Sequence, residues 1–198
     1  MPQKSRSFRR PMGRRRYVRL FVIAAEGFKT EPQYFRLFRD MSSTARVFCI
    51  KGNQNSSPLQ ALKRMRDHLA TNTLGRSDEA WLVVDKDQWT DEQIRELHDW
   101  STTGANYSLA LSNPNFEYWL LLHFEDGAGV ADGNACVLRL RKCLPNYDKG
   151  IPSGIISREM VEEAIRRAKR RDTPPCEDWP HEPGSTTVYR LVGKILSA

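Results

Sequence analysis

Acidic residues follow two apolar runs of the sequence, and another acid, Glu117, lies in the segment after the fourth predicted strand. Glu26 comes directly after the run Val18–Ala25, and Asp85 and Asp87 come directly after Ala80–Val84. Ligands of open parallel sheets bind beyond the carboxyl ends of the strands, so these are the positions to inspect for chemistry. Three carboxylates at neighbouring strand ends repel one another unless a cation neutralises them, and hard oxygen ligands suit Mg²⁺ or Mn²⁺. The pattern predicts a divalent-metal site.

The Asp85-Lys-Asp87 motif is a weak signal by itself, and its position at the end of an apolar run is what indicates a site. With 12 aspartates in 198 residues, about 0.7 such pairs arise by chance. In an extended segment, residues two apart point the same way, so both aspartates are expected to face one ion. The alternatives are helix capping by Asp87, a solvated loop position for Glu26 and, for Glu117, stabilisation of the amino end of a helix.

Strands and helices alternate along the first 125 residues. The apolar runs at 18–25, 46–50, 80–84 and 106–111 predict four strands. Helical spacing follows each strand, with capping boxes at Ser57/Gln60 and Thr90/Gln93 and with a strongly apolar helix over 115–124. This alternation predicts an α/β fold in which a parallel sheet of about four strands has helices on its flanks.

The remaining sequence predicts one domain over 17–198, with an α/β core at 17–125 and a C-terminal helical extension at 126–198. The extension has helical patches at 135–144, 157–171 and 185–196 and a Pro-rich surface connection at 173–184. Residues 1–16 form a basic arm. They hold seven of the 31 lysines and arginines and no acid, so the other 24 basic residues are balanced by 24 acidic ones. Such an arm suits contact with phosphates, although a solubility tail has the same composition.

Several classes of protein are excluded or disfavoured. No apolar stretch is long enough for a membrane span, and no secretion signal begins the sequence. The four cysteines and four histidines lack zinc-site spacing, and neither a P-loop, a G-x-G-x-x-G motif nor a G-x-S-x-G elbow occurs. We therefore expect a reduced, cytoplasmic protein that is not a usual nucleotide-binding protein or an α/β-hydrolase.

Three blocks, in this order and at these separations, carry a family resemblance. They are E26-G-F-K-T-E-P-Q-Y-F35, V84-D-K-D-Q88 and S112-N-P-N-F-E-Y-W-L-L-L-H-F124. The sequence resembles the RloB-like proteins from about Tyr17 to its end, with weaker matches at Y147-D-K149 and P183-G-S-T-T-V188. That family is encoded in bacterial restriction-linked and abortive-infection loci and is similar to the Toprim nuclease partner of certain antiphage ATPases.

The resemblance implies a Toprim/Rossmann-like sheet with a magnesium-dependent phosphoryl-transfer site. It assigns Glu26 as catalytic acid/base or metal ligand and Asp85 and Asp87 as metal ligands, and it adds Glu117 to the catalytic set. Asp87 is followed by Gln88 and Trp89, so a further acid on this segment is missing, which leaves one-metal and two-metal chemistry open.

The function expected from the residues and the resemblance together is metal-dependent hydrolysis of RNA, of tRNA type or otherwise structured, by a toxic effector of antiphage defence. The expected partners are nucleic acid, RNA before DNA, an ATPase encoded nearby and a second copy of the chain, but no membrane. Phosphate contacts are expected from Lys29, Lys149 and the arm residues Arg14, Arg15 and Arg16. The rival hypotheses are a non-catalytic Toprim-shaped module that docks on an ATPase and a nucleic-acid-binding adaptor driven by the arm.

Overall fold

The structure is a computed structural model that describes residues 18–53, 57–152 and 154–198. Five strands form one sheet in the order β2-β1-β3-β4-β5. The strands are β1 (Arg19–Ala25), β2 (Ala45–Cys49), β3 (Glu79–Asp85), β4 (Tyr107–Asn113) and β5 (Ser185–Thr186). The helices are α1 (Thr30–Arg36), α2 (Phe38–Met41), α3 (Pro58–Thr71), α4 (Asp91–Thr102), α5 (Phe116–Leu121), α6 (Gly133–Cys143), α7 (Arg158–Arg171) and α8 (Val188–Ser197).

The four predicted strands are present and parallel, which confirms the α/β class. Strands β1 and β3 lie in the middle of the sheet and are buried on both faces, as their continuous apolar sequences predict. Side chains alternate between two cores. Phe21 and Ile23 of β1 face one core, and Val22 and Ala24 face the other.

Helices cover both faces of the sheet. On one face, α3 and α4 supply Leu62, Met65, Ile94 and Leu97 to the smaller core. The opposite face carries the larger core, to which α1, α2, α5, α6, α7 and α8 contribute. Trp119 of α5 is fully buried there.

Local sequence signals set the helix starts. The Ser57 side chain accepts a hydrogen bond from the Gln60 N–H, with Pro58 in the first helical position of α3. Thr90 and Gln93 form the reciprocal capping box at the start of α4. Both predicted boxes are confirmed.

Three expectations about the elements are wrong in detail. The first predicted helix is broken at Leu37 into α1 and α2. The predicted helix over 115–124 is shorter, since α5 ends at Leu121. The extension is not only helical, because residues 185–186 form β5, which pairs antiparallel with β4 before α8 begins.

The carboxyl ends of the parallel strands form one edge of the sheet, where a functional site is expected. Strands β1, β3 and β4 are parallel and neighbouring, so their carboxyl ends lie side by side. Ala25 pairs with Val83, and Asp85 pairs with Ser112. None of the helices in the described part of the chain is long and apolar enough to cross a membrane.

Candidate active site

Glu26 and Asp85 meet at the carboxyl edge of the sheet. The Glu26 N–H donates to the Val83 carbonyl at 2.8 Å, which continues the β1–β3 ladder by one residue. The Glu26 carboxylate accepts hydrogen bonds from the Asp85 N–H at 3.2 Å and from Trp89 Nε1 at 3.1 Å. The Asp85 side chain makes no hydrogen bond to any described residue, so its carboxylate oxygens are free to take a ligand.

Glu31 brings a third carboxylate to the same place. It lies in the first turn of α1, it is 4% exposed, and its Oε1 accepts a hydrogen bond from the Gly27 N–H at 2.9 Å. A Cβ at residue 27 would lie 2.2 Å from Glu31 Oε2. The glycine of the Glu26-Gly27 pair therefore allows the turn to close around this buried carboxylate.

Glu117 supplies a fourth carboxylate from the first turn of α5. It is buried, and its Oε1 accepts a hydrogen bond from the Tyr147 hydroxyl at 2.9 Å and forms an ion pair with Lys149. The segment that carries Tyr147 and Lys149 is fixed to α1. The Thr30 hydroxyl donates to the Lys149 carbonyl at 3.0 Å, and the Ile151 N–H donates to Gln33 Oε1 at 3.0 Å.

These side chains line one cavity of about 410 Å³. Four of its residues, Glu26, Glu31, Asp85 and Glu117, are the acids described above. The complete lining is Glu26, Gly27, Phe28, Lys29, Thr30, Glu31, Asp85, Phe116, Glu117, Asp148 and Lys149.

Burial and mutual repulsion raise the pKa values of the acids. Burial raises the pKa of Asp85 well above its usual range, and the charges of Glu31, Glu26 and Glu117 raise it further. Burial likewise raises the pKa of Glu31 to about 7. The pKa of Glu26 is also raised by burial, although the hydrogen bonds from Asp85 and Trp89 oppose the shift. Such a set of acids is stable in ionised form only beside a positive charge.

Lys149 provides part of that positive charge. Burial lowers the pKa of its ammonium group, but the carboxylates of Glu117, Asp85 and Glu31 together outweigh burial, so the pKa is raised. Lys29 is exposed and donates from Nζ to the Asp148 carbonyl at 2.7 Å. Both predicted phosphate-contact lysines thus lie at the cavity, while Arg14, Arg15 and Arg16 lie outside the described residues.

Asp87 lies apart from the other acids. The expectation that residues 85–87 continue as extended chain is wrong, because Asp87 adopts a left-handed φ of 30° in a turn. Its N–H donates to the Pro114 carbonyl at 2.8 Å, and its exposed side chain does not line the cavity. Its charge still acts on Glu26, whose pKa it raises. The role of Asp87 as a metal ligand stays a prediction.

Within the described residues, no three or more histidine, cysteine, aspartate or glutamate side chains are placed together as a ready-made metal site. Glu26, Glu31 and Glu117 all accept hydrogen bonds, whereas the Asp85 carboxylate accepts none from the described residues. Glu26 and Asp85, which lie side by side at the strand ends, are the two acids that are predicted to bind a cation. That number fits Mg²⁺, which keeps several waters and commonly takes one or two carboxylates together with substrate phosphates.

The chain was compared with known families, curated proteins and solved structures. A family model described as RloB-like protein matches residues 21–195. The chain belongs to the RloB-like family. The matched range covers the three acidic blocks, residues 147–149 and β5. No curated protein and no solved structure matches the chain.

Sequence reasoning missed Glu31 as a site residue and gave Tyr147 no role. Glu31 has the position of an ordinary first-turn acid, which stabilises a helix through its dipole. The available signal was the spacing Glu26-Gly27…Glu31, in which a glycine precedes an acid by four residues. Tyr147 and Lys149 are two residues apart, and both contact the same Glu117 oxygen.

Proposed function

We propose that this RloB-like protein is a divalent-metal-dependent nuclease that hydrolyses phosphodiester bonds of RNA as a toxic effector of antiphage defence. One observation carries the proposal. Glu26 and the unengaged Asp85 meet two further buried carboxylates in one cavity at the carboxyl edge of a parallel sheet. Carboxylates that repel one another at such short range suit the binding of a cation, and the cation can in turn bind a phosphate.

Glu26 and Asp85 are the residues that would hold Mg²⁺ or Mn²⁺. The bound ion would polarise a phosphodiester oxygen and lower the pKa of a water molecule. The raised pKa values of both acids are consistent with this role, because a cation would supply the missing counter-charge.

The side chains of the cavity supply the remaining functions. In its alternative role as acid/base, Glu26 would accept the proton of the attacking water as the new P–O bond forms, and the leaving oxygen would take a proton from bulk water as the scissile P–O bond breaks. Lys29 and Lys149, which line the cavity, would contact the phosphate, while Tyr147 and Lys149 hold Glu117 through its Oε1. The defence role is proposed from the resemblance to the RloB-like family, and the cytoplasmic location from four cysteines that lack zinc-site spacing. RNA is proposed as the substrate ahead of DNA.

Cleavage by three single variants tests the proposal. We expect Asp85→Asn and Glu26→Gln to lower cleavage of structured RNA about 10²- to 10⁴-fold, the usual contribution of a positioned acid or base. Asp99→Asn is the matched control, since it removes the same charge from an exposed side chain of α4 that does not line the cavity. Its loss should be smaller. Rates are measured with labelled tRNA and with DNA, in Mg²⁺ and in Mn²⁺.

Toxicity in cells separates the nuclease from its rival, the docking module. The parent chain should be toxic on expression, and Glu26→Gln should remove that toxicity without lowering protein abundance. If toxicity persists in Glu26→Gln while the parent cleaves no nucleic acid with either metal, the nuclease proposal is wrong and the docking module remains.

A further inference from the structure

A second groove adjoins the cavity on the side of the edge strand β2. It has a volume of about 420 Å³, and it lies between α1 and the segment Val47–Gly52. Phe28 lines both the groove and the cavity. Helix α1 separates them, with Glu31 toward the cavity and Phe35 and Arg36 toward the groove.

The groove and a smaller depression beside it are basic. Arg36, Arg39 and Lys51 line the groove, and Arg46 lines the depression together with Arg39. No acidic residue of the described chain lines either one. These four basic side chains also form no ion pair with the described residues, and all are exposed. Their charge is therefore available to a polyanion.

Two exposed aromatic rings stand among these charges. Phe28 is 50% exposed and Phe48 is 44% exposed, which is unusual for phenylalanine. One face of the Phe48 ring is supported by His68, which stacks on it with the ring centroids 5.4 Å apart. Gly52 backs Phe28, because a Cβ at residue 52 would lie 3.3 Å from Phe28 Cβ. The Phe48 ring is thus supported on one face and the Phe28 side chain is packed at its base, while both side chains remain about half exposed.

We infer that this groove binds an unpaired stretch of nucleic acid and leads it into the carboxylate cavity. Arginines that follow a backbone and aromatic rings on which bases stack are the two components of single-strand binding surfaces. A base inside a duplex has no free face to offer Phe28 or Phe48, so the groove favours unpaired segments. This inference rests on the proposed function, whose substrate it restricts to single strands, loops and bulges.

Fluorescence anisotropy in the presence of a chelator tests the groove without cleavage. The full chain is titrated into short fluorescein-labelled oligouridine and, separately, into an RNA duplex of the same length. We expect tighter binding to oligouridine. Phe48→Ala should weaken that binding about tenfold, in the range found for one stacked base, and should leave its salt dependence unchanged.

The arginines are tested by the double variant Arg36→Gln, Arg39→Gln. It should weaken binding and lower the slope of log K against log salt by about 1.4, that is, two single-strand phosphate contacts. The matched controls are Arg76→Gln, Arg95→Gln, which removes the same charge from exposed positions outside the groove, and Leu138→Ala, which truncates an apolar side chain that is 62% exposed. Neither control should change the affinity. Circular dichroism of each variant confirms that it folds.

The outcomes distinguish this inference from the function on which it rests. If the groove variants bind oligouridine as the parent does, or if the parent prefers the duplex, the groove assignment is wrong, whether or not the chain cleaves RNA. If the groove variants lose binding as expected and the parent cleaves nothing with Mg²⁺ or Mn²⁺, the groove stands and the proposed nuclease activity is wrong.

Discussion

Gly27 decides whether Glu31 can occupy the cavity. A side chain at residue 27 would overlap the buried Glu31 carboxylate, so that carboxylate would have to move and give up its hydrogen bond from the residue 27 N–H. Gly27→Ala should therefore lower the melting temperature and displace Glu31. Gly193→Ala in α8 is the control, because a Cβ there meets nothing within 4 Å, and alanine is favoured over glycine in a helix by roughly 0.5–1 kcal/mol. Opposite shifts are expected in thermal unfolding. Equal shifts would show that the Gly27 contact is unimportant.

Glu31 predicts a pH dependence of stability. Its pKa in the folded chain is about 7, compared with 4.5 for an unperturbed glutamate. The folded state thus holds this proton more tightly than the unfolded state, so stability is complete below pH 4.5 and is lost as pH rises through about 7.

Glu31→Gln should remove that loss, since its amide oxygen can still accept the Gly27 hydrogen bond. The free energy of unfolding of the variant should exceed that of the parent by about 1–3 kcal/mol above neutral pH, and the difference should vanish in acid. Denaturant titrations of both proteins across this range measure it. A difference that is constant with pH would contradict the predicted ionisation of Glu31.

Helix α5 connects the core to the cavity. Its Trp119 is fully buried, and its first turn carries Glu117. Trp119→Ala should lower the free energy of unfolding by about 3–5 kcal/mol, the usual cost of truncating a large buried aromatic residue. Leu138→Ala is again the control, because exposed positions tolerate truncation within about 0.5 kcal/mol. A loss below about 1 kcal/mol for Trp119→Ala would mean that α5 is not anchored by this residue.

Elements were predictable where one local signal fixed them. Long apolar runs gave β1 and β3, and the capping residues Ser57 and Thr90 gave the starts of α3 and α4. Strand β5 was not predictable, because its two residues, Ser185 and Thr186, become a strand only through pairing with β4.

The candidate site shows the same division between local and long-range causes. Glu26 and Asp85 could be placed because parallel strands bring their carboxyl ends together. The turn at Asp87 was not predictable, since its left-handed φ accompanies a hydrogen bond to Pro114, which is distant in sequence. Glu117 of α5 pairs with Lys149, which lies in a loop about 30 residues later. Hydrophobic periodicity predicts local structure, so it could not predict a contact over this separation.

At the scale of the whole molecule, the sheet separates the start of the described chain, which the basic arm precedes, from the carboxylate cavity. The basic arm joins the described chain at Val18, just before the amino end of β1. The cavity lies at the carboxyl end of the same strand. A strand of seven residues is about 23 Å long, so the arm is attached far from the carboxylates. We therefore expect the arm and the cavity to contribute separately to binding and to chemistry.

Deletion of residues 1–16 tests this separation. Each basic residue that neutralises a phosphate of single-stranded nucleic acid adds about 0.7 to the salt slope, so removing all seven basic residues of the arm lowers the slope by up to about 5. The KM for RNA should rise, while kcat stays near that of the parent, because phosphate contacts position a substrate and only the cavity acts on the scissile bond. Glu26→Gln should show the converse, with near-normal binding and an abolished kcat. If the deletion lowers kcat as far as Glu26→Gln does, the arm takes part in the chemical step and the two ends of the sheet do not act separately.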